Sequence, residues 1–216
     1  MNYLQICLIA YLLGSFPTAL IIVKLFAKKD VRSDESGNMG AMNTLRMVKK
    51  NKGLTLAIIA FLIVWLTDCV KAIFAIIITQ YLIPNSNLAI TLASFFVVLG
   101  HNYPIWLNGK GGRGASSLMG ILMYLNWPVF FYWLIAVFLG SVITELIIRI
   151  IKKQSFVFKT IFKAISDQIV GRLIGEIFAI LMVYFIDRQL FYPVLFATIL
   201  IIYRHKERLI KQLAKK

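Results

Sequence analysis

Long apolar runs separated by short polar turns or basic loops constrain this chain more than any other feature. A helix needs about 20 mainly apolar residues to cross a hydrocarbon layer about 30 Å thick, and in lipid it must satisfy its own backbone hydrogen bonds. Residues 3–26, 54–83, 88–107, 115–127, 128–148, 168–187 and 189–203 reach or approach that length. They predict an all-α integral membrane protein with about seven transmembrane helices. The range is five to seven, because 115–127 and 189–203 are short. Hydrophobic residues make up 60% of the 216, and the mean hydropathy is +0.80, which excludes an ordinary soluble domain. Residues 1–216 are expected to form a single transmembrane domain. Residues 3–26 lack a basic leader and a small-residue cleavage site, so they are expected to be a retained first span.

The formal net charge of +15 would suggest nucleic acid in a soluble protein, but here most basic residues sit in loops between spans or in the tail. Threaded from an outside N-terminus, seven crossings put Lys28, Lys29, Arg32, Arg46, Lys49, Lys50 and Lys52 in one inside loop. Lys110 and Arg113 fall in a second, and Arg149, Lys152, Lys153, Lys159 and Lys163 in a third. Arg204, Lys206, Arg208, Lys211, Lys215 and Lys216 form an inside tail, and only Arg188 falls in an outside turn. Such segregation predicts an outside N-terminus and an inside C-terminus, with the basic loops in the cytoplasm against anionic headgroups. Membrane lipids, and not nucleic acid, are the expected partners. Residues 148–166 mix apolar and basic residues at helical spacing, as an amphipathic surface helix or a solvated connector would. Cys7 and Cys69 fall in apolar runs and are expected to be reduced packing residues. No cysteine–histidine spacing suggests a metal.

Three groups of residues could carry chemistry. In the first inside loop, Ser36-Gly37-Asn38-Met39-Gly40 precedes Asn43 and Arg46, which share a face at i, i+3 if a helix starts near Met39. Ser36 would then lie near a helix N-terminus, where an anion is favoured; a capped turn between spans is the simpler reading. In the second, Gly100-His101-Asn102-Tyr103-Pro104 leads to Gly109-Lys110-Gly111-Gly112-Arg113-Gly114. Its glycines and cations suit either an anion nest or a hinge. Asp68 and Lys71 lie three apart in a long apolar run, where charges are costly and serve a polar cavity or each other. Arg172 and Glu176, at i, i+4, read as a structural pair.

Taken in order, these residues resemble the bacterial acyl-phosphate:glycerol-3-phosphate acyltransferase family. Its first motif is similar to Gly14-Ser15-Phe16-Pro17, Asp30, Arg32, Ser36-Gly37-Asn38, Gly40, Ala41, Asn43 and Arg46. Its Asp-x-x-Lys pair resembles Asp68 and Lys71. Its second motif resembles Gly100-His101, Pro104 and Lys110-Gly111-Gly112-Arg113-Gly114, with a hydroxyl at Ser117. The likeness is close over about residues 10–120; beyond that it rests on hydropathy and His205. It implies transfer of a fatty acyl group from acyl-phosphate to the 1-hydroxyl of glycerol 3-phosphate, giving lysophosphatidic acid and phosphate, with no metal or other cofactor. It implies catalytic roles for Ser36, Asn38, Arg46 and His205. Substrate binding falls to Gly37, Asn43, His101, Lys110, Gly111, Gly112, Arg113, Gly114 and Ser117, with Asp68 and Lys71 in a polar cavity. It also implies a bacterial inner-membrane location and a functional link to an acyl-phosphate-forming enzyme. The chain departs from the family pattern at Glu35, Gly109 and Arg113, and most at Arg208 and Lys211, where the family has Asn and Arg. Two alternatives stay open: the same fold acylating another phosphorylated acceptor, and a non-catalytic lipid-binding or transport protein. No internal inverted repeat supports transport.

Overall fold

The computed structural model describes residues 2–32, 37–154 and 169–213. Its elements are α1 (Tyr3–Gly14), α2 (Thr18–Ala27), α3 (Ala41–Lys52), α4 (Leu54–Leu82), α5 (Asn87–Asn102), a 3-10 turn (Ile105–Leu107), α6 (Ala115–Leu125), α7 (Trp127–Ile151), α8 (Ile169–Ile186) and α9 (Arg188–Leu213). Among the described residues, five segments are long and apolar enough to cross a membrane: Tyr3–Ala27, Leu54–Leu82, Asn87–Leu107, Trp127–Ile151 and Ile169–Ile186. The two short expected crossings behave differently. The 11 residues of α6 span only about 16 Å, less than a bilayer core. The last helix does not stop at residue 203 but runs on through the basic tail to Leu213.

The first crossing is broken, where the sequence suggested one helix. Pro17 has no N–H to continue the ladder, and its ring disfavours a helical residue before it. Accordingly α1 ends at Gly14, the Ser15 hydroxyl turns back to donate to the Tyr11 carbonyl at 2.8 Å, and α2 begins at Thr18. Lys28, in the left-handed region at φ 52°, ends α2. Side-chain caps fix other starts. Asn2 and Gln5 form a reciprocal capping box on α1, Ser86 accepts from the Ala89 N–H, and Asn126 accepts from the Val129 N–H.

The chain divides into two compact units, Met1–Leu125 and Asn126–Lys216. The first contains α1 to α6. Helix α4, about 43 Å long, packs against α3, α5 and α6. It buries Ala57, Ala60, Ala72 and Ala75 while Leu62, Leu66, Phe74 and Ile77 stay exposed. Small residues inside and large apolar ones outside is the pattern of helices that meet by close approach in lipid. Glycine takes this furthest between α1 and α5. A Cβ on Gly14 would overlap the Val97 backbone, and one on Gly100 the Tyr11 carbonyl.

The second unit is built on α8, which packs against α7 and α9. Gly171 and Gly175 on α8 meet Gly140 and the Ala136–Val137 backbone of α7 so closely that none of the three glycines could carry a Cβ unmoved. Asp187 joins α8 to α9 and accepts a 2.9 Å hydrogen bond from Asn126 at the start of α7. Glu176 is fully buried, and neither carboxylate oxygen accepts a hydrogen bond from the described residues. Arg172, one turn earlier on α8, acts on this carboxylate through its charge and not through a hydrogen bond. Most of the basic segment 149–166 lies outside the described residues; α7 ends at Ile151, before them. Both cysteines are free and buried.

Candidate active site

Of the site residues expected in the first unit, Asp68, Lys71, His101, Gly111 and Gly112 gather where the α1–α2 break meets the end of α5, whereas Asn38, Asn43, Arg46, Lys110, Arg113, Gly114 and Ser117 do not line the recess there. Asp68 and Lys71, one turn apart on α4, face the same way, and α5 delivers His101 to them. The Lys71 ammonium lies 2.8 Å from Asp68 Oδ1 and 2.9 Å from His101 Nδ1. His101 Nδ1 is 3.5 Å from the same carboxylate oxygen. Exposures of 2% for Asp68 and 6% for Lys71 and His101 leave almost no water to compensate these charges, so each depends on the others. The sequence coupled Asp68 to Lys71. It did not reveal His101, 30 residues from Lys71, as the third member.

Beyond α5 the chain doubles back in a glycine loop. The Tyr11 hydroxyl donates to the Tyr103 carbonyl at 2.8 Å, fixing the exit from the helix. The Gly111 N–H then donates to the Asn102 carbonyl (3.2 Å) and the Gly112 N–H to the His101 carbonyl (2.9 Å). The Gly109 and Lys110 N–H groups are used within the loop, on Pro104 and Leu107. These four amides are therefore not free to form the anion nest that the composition suggested. They pin the loop to the helix end. The glycines serve close approach: a Cβ on Gly111 would strike the His101 carbonyl, and one on Gly112 the His101 ring at Nε2. Asn108, Gly109 and Gly114, at φ 49°, 72° and 90°, complete the reversal.

The loop between α2 and α3 docks on this one. The Met39 N–H donates to the Gly111 carbonyl at 3.4 Å. Helix α3 starts two residues later, at Ala41. Its buried Asn43 donates from Nδ2 to the Val31 carbonyl at 3.2 Å, so Asn43 holds the loop together. Asn38 folds back toward Gly40, where a Cβ would lie 2.9 Å from Asn38 Nδ2. Gly37 takes φ +62°. At the loop's entrance the Arg32 guanidinium grips Asp30 at 2.7–3.2 Å. Hydrogen bonding from Arg32 pulls the Asp30 carboxyl down to about 2, and Asp30 in turn raises the Arg32 pKa.

These elements line one small recess. Its wall is formed by Ser15 and Pro17 at the helix break, Met39, Asp68, Lys71, His101, and the glycine-loop residues Gly111 and Gly112. Of the expected cations, Lys110 is exposed, while Arg46 and Arg113 are partly buried. Ser117, in the first turns of α6, is buried with no hydrogen-bond partner for its hydroxyl among the described residues. Ser36 lies outside the described residues.

The family model described as "Glycerol-3-phosphate acyltransferase" matches residues 4–215, nearly the whole chain. The chain belongs to the glycerol-3-phosphate acyltransferase family. It is 33% identical over 218 residues to the glycerol-3-phosphate acyltransferase of Pelagibacter ubique, covering 100% of this chain and 96% of that one. It is 32% identical to that of Macrococcus caseolyticus over 183 residues, 85% of this chain and 89% of that one. It also resembles the crystal structure of PlsY, an integral membrane glycerol 3-phosphate acyltransferase, in its glycerol 3-phosphate form. There the TM-score is 0.70 at 24% identity, over 99% of this chain and 92% of that one. The lysophosphatidic acid form of PlsY gives a TM-score of 0.69 at 22% identity, with the same coverage.

This family member carries its remaining expected catalytic residue, His205, in the second unit. His205 lies on α9, 1% exposed, with Nδ1 2.8 Å from the Ile201 carbonyl. A carbonyl can only accept, so Nδ1 donates, and in the neutral ring the lone pair is left at Nε2. That is the form in which an imidazole takes a proton. Arg208, three residues on, stays within the same continuous helix.

Proposed function

We propose that this chain acylates the 1-hydroxyl of glycerol 3-phosphate with a fatty acyl group from acyl-phosphate, releasing lysophosphatidic acid and phosphate. Family membership supports the acceptor. The observation that carries the site is the Met39–Gly111 hydrogen bond, because it ties the Asn38-bearing loop to the loop holding Lys110 and Arg113. Two phosphate-bearing substrates need converging cations, and guanidinium and ammonium groups grip phosphate through charge-assisted hydrogen bonds.

In the reaction the 1-hydroxyl oxygen bonds to the acyl carbon, the carbon–oxygen bond to phosphate breaks, and the hydroxyl proton passes to a base. His205, in the second unit, keeps the catalytic role that the family resemblance implies. Arg46, Lys110 and Arg113 neutralise the departing phosphate, and Ser36 and Asn38 orient the acyl-phosphate. Since acyl-phosphate already carries a good leaving group, positioning and charge neutralisation can supply most of the rate without a covalent intermediate. We also propose that the basic loops face the cytoplasm of a bacterial inner membrane, where an acyl-phosphate-forming enzyme would supply the donor.

The test is purified full-length protein in detergent with palmitoyl-phosphate and glycerol 3-phosphate. The expected result is phosphate release matched mole for mole by lysophosphatidic acid. Release that does not depend on glycerol 3-phosphate would sink the proposal.

A further inference from the structure

The buried group Asp68–Lys71–His101 is more specific than an ion pair stored in a membrane helix. Lys71 is salt-bridged to Asp68 at 2.8 Å and so carries an ammonium, which has hydrogens to give and no lone pair. It lies 2.9 Å from His101 Nδ1. The shorter contact makes Nδ1 the acceptor of the ammonium, with Asp68 Oδ1 farther off at 3.5 Å, and a neutral His101 then carries its proton on Nε2. The Nε2 edge of the ring meets Gly112, where even a methyl group would overlap that atom, and both residues line the recess. The backbone repeats the connection, because the Gly112 N–H bonds to the carbonyl of His101 itself. Lys110 and Arg113 flank these two glycines in sequence.

We propose that Lys71 is a positioning residue: anchored by Asp68, it holds His101 in the Nε2–H tautomer, and that ring sets the place of the glycine loop bearing Lys110 and Arg113. The part of this that concerns substrate rests on the acyltransferase reading above; the tautomer does not. His205 is held the other way, with Nδ1 donating to Ile201, so the only two histidines of the chain should be opposite tautomers.

The experiment uses full-length protein, labelled with 15N in its histidines, in lipid nanodiscs at neutral pH. Long-range proton–nitrogen spectra should show one Nε2–H ring and one Nδ1–H ring, and a His205→Gln variant should remove the second. A His101 signal that is Nδ1–H or imidazolium overturns the proposal, and this readout needs no change at Lys71. Kinetics then separate positioning from mere folding. In Lys71→Met, which cannot donate, the His101 signal should become mixed. KM for glycerol 3-phosphate should rise about tenfold with a smaller fall in kcat, as expected when binding geometry rather than chemistry is lost. Lys71→Arg should recover the single tautomer and most of the affinity. A folded Lys71→Met protein with an unchanged spectrum and KM refutes the role. If Lys71→Met does not fold, the native spectrum and the Lys71→Arg variant decide. If the native protein transfers no acyl group at all, the functional reading fails while the spectrum still judges the tautomer.

Discussion

Replacing Gly112 with alanine tests how firmly the glycine loop and the buried charges are locked together. Gly112 does not have the positive φ of Gly109 or Gly114, so alanine meets no backbone objection there. The difficulty is steric. A Cβ would overlap His101 Nε2 and lie 2.7 Å from both Cδ2 and Cε1 of the same ring. Relief to van der Waals contact requires the ring to move by about 1.5 Å. The ring cannot move alone, because Nδ1 is bonded to Lys71 and Lys71 to Asp68. Loss of a hydrogen bond to a charged group costs about 1.5–3 kcal/mol, and overpacking of a filled site about 1–3 kcal/mol. If the two partly overlap, Gly112→Ala should destabilise the fold by roughly 2–4 kcal/mol. Gly53→Ala is the control: φ is +90° and ψ 175°, a region essentially confined to glycine, but nothing lies within 4 Å, so it should cost only that backbone strain, about 1–3 kcal/mol. Thermal unfolding in detergent measures both, alongside phosphate release. A Gly112→Ala protein as stable and active as the native chain would show that the ring is not clamped, and the reasoning would fall.

Four further outcomes are expected. Arg46→Ala and Lys110→Ala should each slow turnover by about 2 kcal/mol or more, roughly thirtyfold, in the phosphate-release assay; near-normal rates in both folded variants would remove these loops from the substrate site. Arg208→Asn should raise activity on glycerol 3-phosphate if the arginine has shifted acceptor preference, whereas a fall from a fully active native protein would show that the tail works as it stands. Asp30, depressed to about 2 by Arg32, contributes stability that is present above the ordinary carboxylate range near pH 4 and is lost as pH falls toward 2. Unfolding curves of Asp30→Asn should therefore lose a small part of that acid dependence, the pair being a third exposed and screened by salt, and an unchanged slope would contradict it. Single cysteines at positions 50, 110 and 216 should label from one side of sealed vesicles, and a split result would break the proposed topology.

The helices were legible because lipid demands length and apolar composition, both visible along the chain. The break at Ser15–Pro17 was written in Gly14-Ser15-Phe16-Pro17, but a hydropathy run passes over it, since apolar residues continue on both sides. The glycine loop misled in a different way. Glycines that offer free amides and glycines that allow two backbones to touch have the same composition. Only the partner carbonyls of His101 and Asn102 distinguish them. His101 could not be joined to Lys71 from spacing, because the pairing depends on how α5 packs against α4. Gly171 and Gly175, four residues apart, stand at a spacing that favours close helix packing, so this contact is written in the sequence.

The outward-facing Leu, Ile and Phe side chains of α4 meet a solvent as apolar as themselves. Hydrocarbon does not distinguish leucine from isoleucine at a rim position, so those positions are free to drift. What cannot drift is the absence of a side chain at Gly14, Gly100 and Gly120, where the neighbouring backbone already fills the space. The ordinary ranking of core mutations is therefore inverted: trimming a large residue on the rim costs little, while adding one carbon at a crossing costs much.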